Sequence, residues 1–145
     1  MSATAGGPDG TATQSAGGRL GFKSGMVVQE LGWDEDVDDG LRMAIENAID
    51  ADMVDGDYGN VVESVVLWWR EEDGDLVDAL VDALTNLAEA GAVLLMTPKA
   101  GRTGHVEPSE ISEAALSAGL HGTSTLSAGP DWSATRLVAP KSGRR

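Results

Sequence analysis

The loop Lys99–Glu107, KAGRTGHVE, is the one local reversal of charge in an acidic chain, and it carries Lys99, Arg102 and His105. A guanidinium forks around a carboxylate or phosphate, so Lys99 and Arg102 could hold a small anion between them. The competing use of the same bases is pairing with the acidic turns beside them. In open α/β sheets, ligands lie beyond the carboxyl ends of the strands. With strands before Trp33, Arg70 and Lys99, that edge gathers Trp33 and Asp34, Arg70 and Glu71, then Lys99 and Arg102. The candidate ligand-facing residues are therefore Trp33, Asp34, Arg70, Lys99, Arg102 and His105.

Other chemistries fail on residue type or spacing. The first strand–helix junction reads Glu30-Leu31-Gly32-Trp33-Asp34. One glycine stands where a dinucleotide site needs three, and Trp33 is bulky where backbone must approach a ligand. No G-K-[ST] follows a glycine-rich turn. A calcium loop started at Asp34 has carboxylates at Asp36 and Asp38, then Asp39 where glycine is required and Ile45 where the bidentate glutamate belongs. Neither histidine, His105 or His121, sits in a nucleophile motif, and no pair of acids is singled out for glycoside chemistry. The absence of cysteine removes disulfides, thiolate nucleophiles and thiolate metal sites. No catalytic residue, metal or cofactor is expected.

The net charge is −14, and Glu30 to Glu89 holds 19 acids against two bases, Arg42 and Arg70. Such a surface repels nucleic acid and anionic membranes. A basic protein partner would be attracted, although a soluble surface accounts for the same charge. No run approaches the ~20 apolar residues of a membrane helix, which leads to the expectation of a cytoplasmic protein. Residues 1–19 are rich in Gly, Ala, Ser and Thr, too poor in apolar mass to fold and unlike a signal peptide. They read as a disordered tail, 20–140 as one domain, and 141–145 as a short basic tail.

The positioning elements follow from apolar spacing. Met26 to Leu31 suits a short strand. Val37, Leu41, Ala44, Ile45, Ala48 and Ile49 mark one helix face, with an N-cap from Asp34–Asp39. Met53-Val54 allows a brief strand. Val65 to Trp69 is a continuous apolar run, fit for a strand covered on both faces, with Trp68 and Trp69 pointing oppositely. Leu76, Leu80, Leu84 and Leu87 predict a helix capped by Asp75 and stopped by Gly91. Ala92 to Thr97 reads as a strand and Pro108 to Ala118 as a helix ended by Gly119. His121–Ala128 and Ser133–Ala139 form an antiparallel pair around Gly129-Pro130-Asp131-Trp132. Trp33 and Trp132 fall in turns and are expected to be the more exposed indoles. The order implies an α/β fold: a three-layer Rossmann-like sandwich, mostly parallel, with a C-terminal antiparallel strand pair.

The stretches LGFKSGMVVQELGWDEDVDD, VVLWWR, DGDLVDALVDAL, LLMTPKAGRTGHVEPSEI and DWSATRLVAP resemble the actinobacterial domain of unknown function 3052 family across Leu20 to Lys141. The resemblance implies a cytoplasmic bacterial protein and carries over no catalytic residue. More distantly, the strand–helix–strand course and terminal pair resemble the latter half of S-adenosylmethionine-dependent methyltransferases. The chain departs from them at the lone Gly32, and an acidic ribose partner stays open among Asp50, Asp52 and Asp55. The expectation is a non-catalytic binding or regulatory protein working through a protein partner or small anionic ligand, its oligomeric state unknown. The alternatives are a diverged enzyme of methyltransferase ancestry and, at longest range, an acidic mimic of nucleic acid.

Overall fold

The structure is a computed structural model and describes residues 20–140; the expected tails lie outside the described residues. The first strand, β1, is Val28–Leu31. Helix α1, Asp39–Ile49, starts where the Asp38 side chain accepts the Leu41 N–H, and buries Leu41, Ala44, Ile45 and Ile49 at the expected spacing. Strand β2 is Val62–Trp68. A short 3-10 turn, Glu71–Asp73, leads into helix α2, Leu76–Ala83, whose N-cap Asp75 accepts the Val77 and Asp78 N–H groups. Strand β3 is Leu87–Pro98 and helix α3 is Pro108–Ser117. Pro108 opens α3, where its missing N–H costs nothing. Strands β4, His121–Ser127, and β5, Trp132–Val138, complete the chain.

The sheet order is β1-β2-β3-β5-β4. The β1–β2 and β2–β3 pairings are parallel, whereas β3–β5 and β5–β4 are antiparallel. The sheet is therefore mixed, which corrects the expectation of a mostly parallel one. The terminal hairpin inserts β5 beside β3, so a second antiparallel pairing joins that within the hairpin. On the outer side of β1, the expected Met53-Val54 strand is reduced to a single parallel bridge from Val54 to Gln29. Its backbone bonds run from Glu30 N–H to Val54 O and from Val54 N–H to Val28 O, each 2.8 Å.

Helices cover both faces, as expected. On one face α1, Leu20 and Phe22 pack against Val66, Trp68, Leu94 and Met96. On the other, Leu80 and Ala83 of α2 and Ile111, Ala114 and Ala115 of α3 pack against Val65, Leu67, Val93 and Leu95. The two indoles of β2 divide accordingly, Trp68 to the first core and Trp69 to the second.

Two local expectations are overturned. Gly91 does not cap α2, because the helix stops at Ala83 and tight bonds from Leu84, Thr85 and Leu87 turn the chain early. Asn86 ties that turn into the sheet: its side chain donates to Tyr58 O at 2.7 Å and its carbonyl accepts the Val62 N–H at 2.8 Å. Gly91 lies instead within β3, opposite an irregular step in β2, where an added Cβ would come 2.6 Å from Glu63 O. Glycine in a strand commonly marks such a close backbone approach. Trp132 is likewise not an exposed turn residue. It starts β5 and is 3% exposed, against 55% for Trp33.

Candidate functional site

The Val54 bridge on one side of β1 and β2 on the other make β1 the point at which the sheet grows in both directions. The crevice beyond the carboxyl ends of β1 and β2 is where such a sheet usually receives a ligand. Here Arg70 fills it. Its Nε donates to Asp36 Oδ2 at 3.0 Å and its Nη2 to Asp36 Oδ1. Its Nη1 donates to Gly32 O at 2.8 Å and Asp73 Oδ2 at 3.2 Å, and reaches Trp68 O at 3.3 Å. The guanidinium also stands 5.4 Å from the Trp132 ring centroid, a cation–π geometry.

The groups around Arg70 extend this clamp. Trp132 Nε1 donates to Asp36 O at 3.3 Å, and its ring meets Trp68 edge-on, with centroids 4.9 Å apart and planes at 81°. Trp68 Nε1 donates to Glu30 Oε2 at 2.8 Å, and Arg42 grips both oxygens of Glu30 at 2.7 Å. Arg42 and Arg70, the two bases of the acidic half, are thus both committed to internal ion pairs.

Charges shift as this geometry requires. The hydrogen bond from Arg70, helped by its charge, holds the Asp36 carboxyl below the usual range against a smaller opposing effect of burial. Burial pulls Arg70 down, but the hydrogen bonds and charges of Asp36 and Asp73 together outweigh it and raise the guanidinium. The hydrogen bond to Glu30 raises Arg42.

The six residues expected at the strand ends have separate side-chain environments. Trp33 is exposed, and Asp34 turns back on its own segment to accept the Glu35 N–H. Arg70 is 7% exposed within the clamp. Lys99 and Arg102 reach the β4–β5 turn instead, Lys99 Nζ donating to Ser127 Oγ at 2.7 Å and Arg102 pairing with Asp131 at 2.9 Å. His105 Nδ1 lies 2.9 Å from Pro98 O. A carbonyl only accepts, so Nδ1 carries a proton there, while Nε2 stands 3.7 Å from Glu107 Oε2.

A second concave region lies farther along the same sheet. A cleft of about 370 Å³ opens between α3 and the β3–β5–β4 surface. The sheet supplies Thr97, Ser133, Thr135 and Gly122–Thr125, while the α3 side supplies Val106, Pro108, Ile111 and Ser112. His105 completes the wall. These hydroxyl groups were missed in the sequence, although Thr123-x-Thr125 and Ser133-x-Thr135 have the two-residue period that puts side chains on one face. A separate groove between α2 and α3 joins Trp69 to Glu71, Asp75, Glu110 and Glu113. Among the described residues, no three His, Asp or Glu side chains converge as metal ligands, and no helix is long and apolar enough to cross a membrane.

A family model described as a protein of unknown function, DUF3052, matches residues 17–141. An uncharacterised protein of Mycobacterium bovis is 52% identical over 124 residues, covering 86% of this chain and 78% of that protein. One from Mycobacterium tuberculosis matches with the same identity and coverage. Among solved structures, the pyocyanin biosynthetic protein PhzM aligns with a TM-score of 0.65 at 13% identity, over 89% of this chain and 54% of PhzM. Mitomycin 7-O-methyltransferase MmcR aligns at 0.58 and 13% identity, over 90% of this chain and 54% of MmcR. The chain thus spans about half the length of either. A SAM-dependent methyltransferase from Aquifex aeolicus aligns at 0.51 and 12% identity, over 88% of this chain and 89% of that one. At such identities the likeness shows a shared methyltransferase-type fold alone.

Proposed function

The chain belongs to the DUF3052 family, and from that premise we propose a non-catalytic, Rossmann-like binding module rather than an S-adenosylmethionine-dependent enzyme. One observation carries this reading: the crevice beyond β1 and β2 is occupied by Arg70, held by Asp36, Asp73 and two backbone carbonyls against Trp132. A nucleoside entering there would have to displace a buried guanidinium, leaving its partners uncompensated. Gly32 adds to the obstruction. It has φ +77° and lies so close to the Trp68 carbonyl that no side chain fits between β1 and β2. Binding then falls to other surfaces, with a small ligand received away from the clamp or a basic protein partner met by the acidic groove beside Trp69.

The diverged-enzyme alternative draws on one specific feature. Of the three acids left open, Asp55 directly follows the Val54 bridge beside β1, where a ribose carboxylate belongs in a dinucleotide fold. A thermal-shift panel of S-adenosylmethionine, nucleotides and sugar phosphates separates the readings. A ligand at about a hundred times its Kd stabilises by about 2.7 kcal/mol, a shift of several degrees at this size. The expected result is no shift with S-adenosylmethionine. A shift that Asp55→Ala or Trp33→Ala abolishes would establish the enzyme reading instead.

A further inference from the structure

Thr97 and Thr135 are 3% and 8% exposed, and both line the cleft between α3 and the sheet. Pairing β5 with β3 sets Thr135 beside Leu95 and Ser133 beside Thr97, so all four side chains share the face that α2 and α3 cover in part. Neither threonine hydroxyl is bonded to a described residue. Among the hydroxyls of this wall, Thr123 alone has bonds of its own, long ones of 3.5 Å to Arg136 O and 3.4 Å from Arg136 Nη1. Buried polar groups ordinarily find hydrogen-bond partners, and no buried side-chain polar atom of the described protein is wholly enclosed without one. These hydroxyls therefore open into the cleft, where their partners must come from beyond the described residues.

We propose that this cleft is a binding site for a neutral polyhydroxylated molecule, such as a sugar ring or cyclic polyol. Three features select that class. First, no Asp, Glu, Lys or Arg side chain lines the cleft, so an ion entering it would lose hydration with little counter-charge to replace it. Second, each wall hydroxyl both donates and accepts. A ligand hydroxyl can then replace a water molecule while conserving hydrogen bonds, which an apolar ligand cannot do. Third, Pro98, Val106, Pro108 and Ile111 offer apolar surface for the C–H face of a ring. The volume falls within the range of small-ligand pockets, about 300–1,000 Å³. Lys99 and Arg102 are engaged at the β4–β5 turn and line no part of the cleft.

This inference rests on the binding-module reading in its small-ligand form, and the two can fail separately. The test uses the full chain, labelled with nitrogen-15 and titrated with D-glucose and myo-inositol as neutral probes. Inorganic phosphate, glucose 6-phosphate and S-adenosylmethionine serve as comparators. The expected result is a saturable shift of the amides of Thr97, Gly122–Thr125 and Thr135 with a neutral probe. Loss of one hydroxyl in Thr97→Val or Thr135→Val should weaken binding about tenfold while the remaining spectrum stays folded. Ser112→Ala, at an exposed helix position, serves as a third variant should a valine disturb the sheet. No saturable response to either neutral probe overturns the proposal. So does a cleft response confined to the phosphates, or one indifferent to all three substitutions. A response to S-adenosylmethionine at Trp33 and Asp55 would remove the non-enzyme reading and leave the cleft assignment to be judged on its own shifts.

Discussion

At the carboxyl ends of β1 and β2, Arg70, Glu30 and the indole N–H groups of Trp68 and Trp132 all have partners within the protein. Farther along the same sheet, Thr97 and Thr135 are nearly as enclosed and have none among the described residues. The first region is the usual ligand crevice of an open α/β sheet, yet its polar groups are saturated by the chain itself. The second has no motif to advertise it, and its polar groups remain available. Internal saturation makes a polar cluster a structural element, because any ligand must first break what is already made. A cluster left with hydrogen-bonding capacity needs no such exchange. The contrast therefore directs attention away from the fold's customary site and towards the β5–β4 end.

Substitutions can break the contrast, and the largest effect is expected at the clamp. Arg70→Ala removes the donors that join the β1 loop, β2 and the Asp73 turn. Because the Asp36 side chain is more than half exposed, the loss should sit near the low end for a broken buried pair, about 3 kcal/mol by urea denaturation. A stability change below about 0.5 kcal/mol, the scale of ordinary surface substitutions, would show that the saturated region is not a structural element.

Gly32→Ala should cost about 2 kcal/mol, combining a left-handed φ of +77° with collision against the Trp68 carbonyl. An unchanged denaturation midpoint would mean that β1 and β2 have room to separate, and a ligand room to enter.

Acid provides a gentler probe. Arg70 holds the Asp36 carboxyl below its ordinary value, so folding lowers that pKa. The resulting stability is fully present above the unfolded aspartate value, near about 4, and is lost as pH falls through the lower folded value. The raised Arg70 value acts in the opposite sense and matters only at extreme alkaline pH. Asp36→Asn should lower stability at neutral pH by about 1 kcal/mol, since the carboxylate is well solvated. It should also flatten the decline measured in urea midpoints between neutral and acid pH. An equally steep decline in the variant would assign the acid sensitivity to other carboxylates.

The smallest effect is expected in the cleft. Thr97→Val and Thr135→Val break no hydrogen bond made within the described protein, so thermal midpoints should move by no more than about 0.5 kcal/mol equivalent in either direction. A large loss would reveal that these hydroxyls already serve the fold, and the contrast between the two regions would collapse.

Much of the scaffold was legible because it depends on neighbours in sequence. The three- and four-residue spacing of Leu41, Ile45 and Ile49 brought those side chains to one core, with Ala44 buried on the same helix. Asp75 caps α2 through groups two and three residues on. The opposite indoles of Trp68 and Trp69 follow from strand alternation alone. Gly91 misled because a glycine after an apolar helical pattern and a glycine at a strand crossing look alike until the neighbouring backbone is in place. The candidate site was harder to read for the same reason. Asp36 and Arg70 are 34 positions apart, and Trp132 is 96 from Asp36, so no local window contains the clamp. Lys99 and Arg102 were recognised as a basic loop, but their partners Ser127 and Asp131 belong to a later turn.

By itself, the sequence determined the order of the main elements, the aspartate N-caps of α1 and α2, a core on both faces of the sheet and the absence of a glycine-rich nucleotide loop. These properties rest on side-chain period, turn chemistry and composition, which act over a few residues. Only the tertiary structure decided that β5 inserts beside β3, that Arg70 closes the customary crevice and that Thr97 and Thr135 face a cleft. Those outcomes depend on which distant strands become neighbours, and strand pairing sets which polar groups meet a partner among the described residues and which do not.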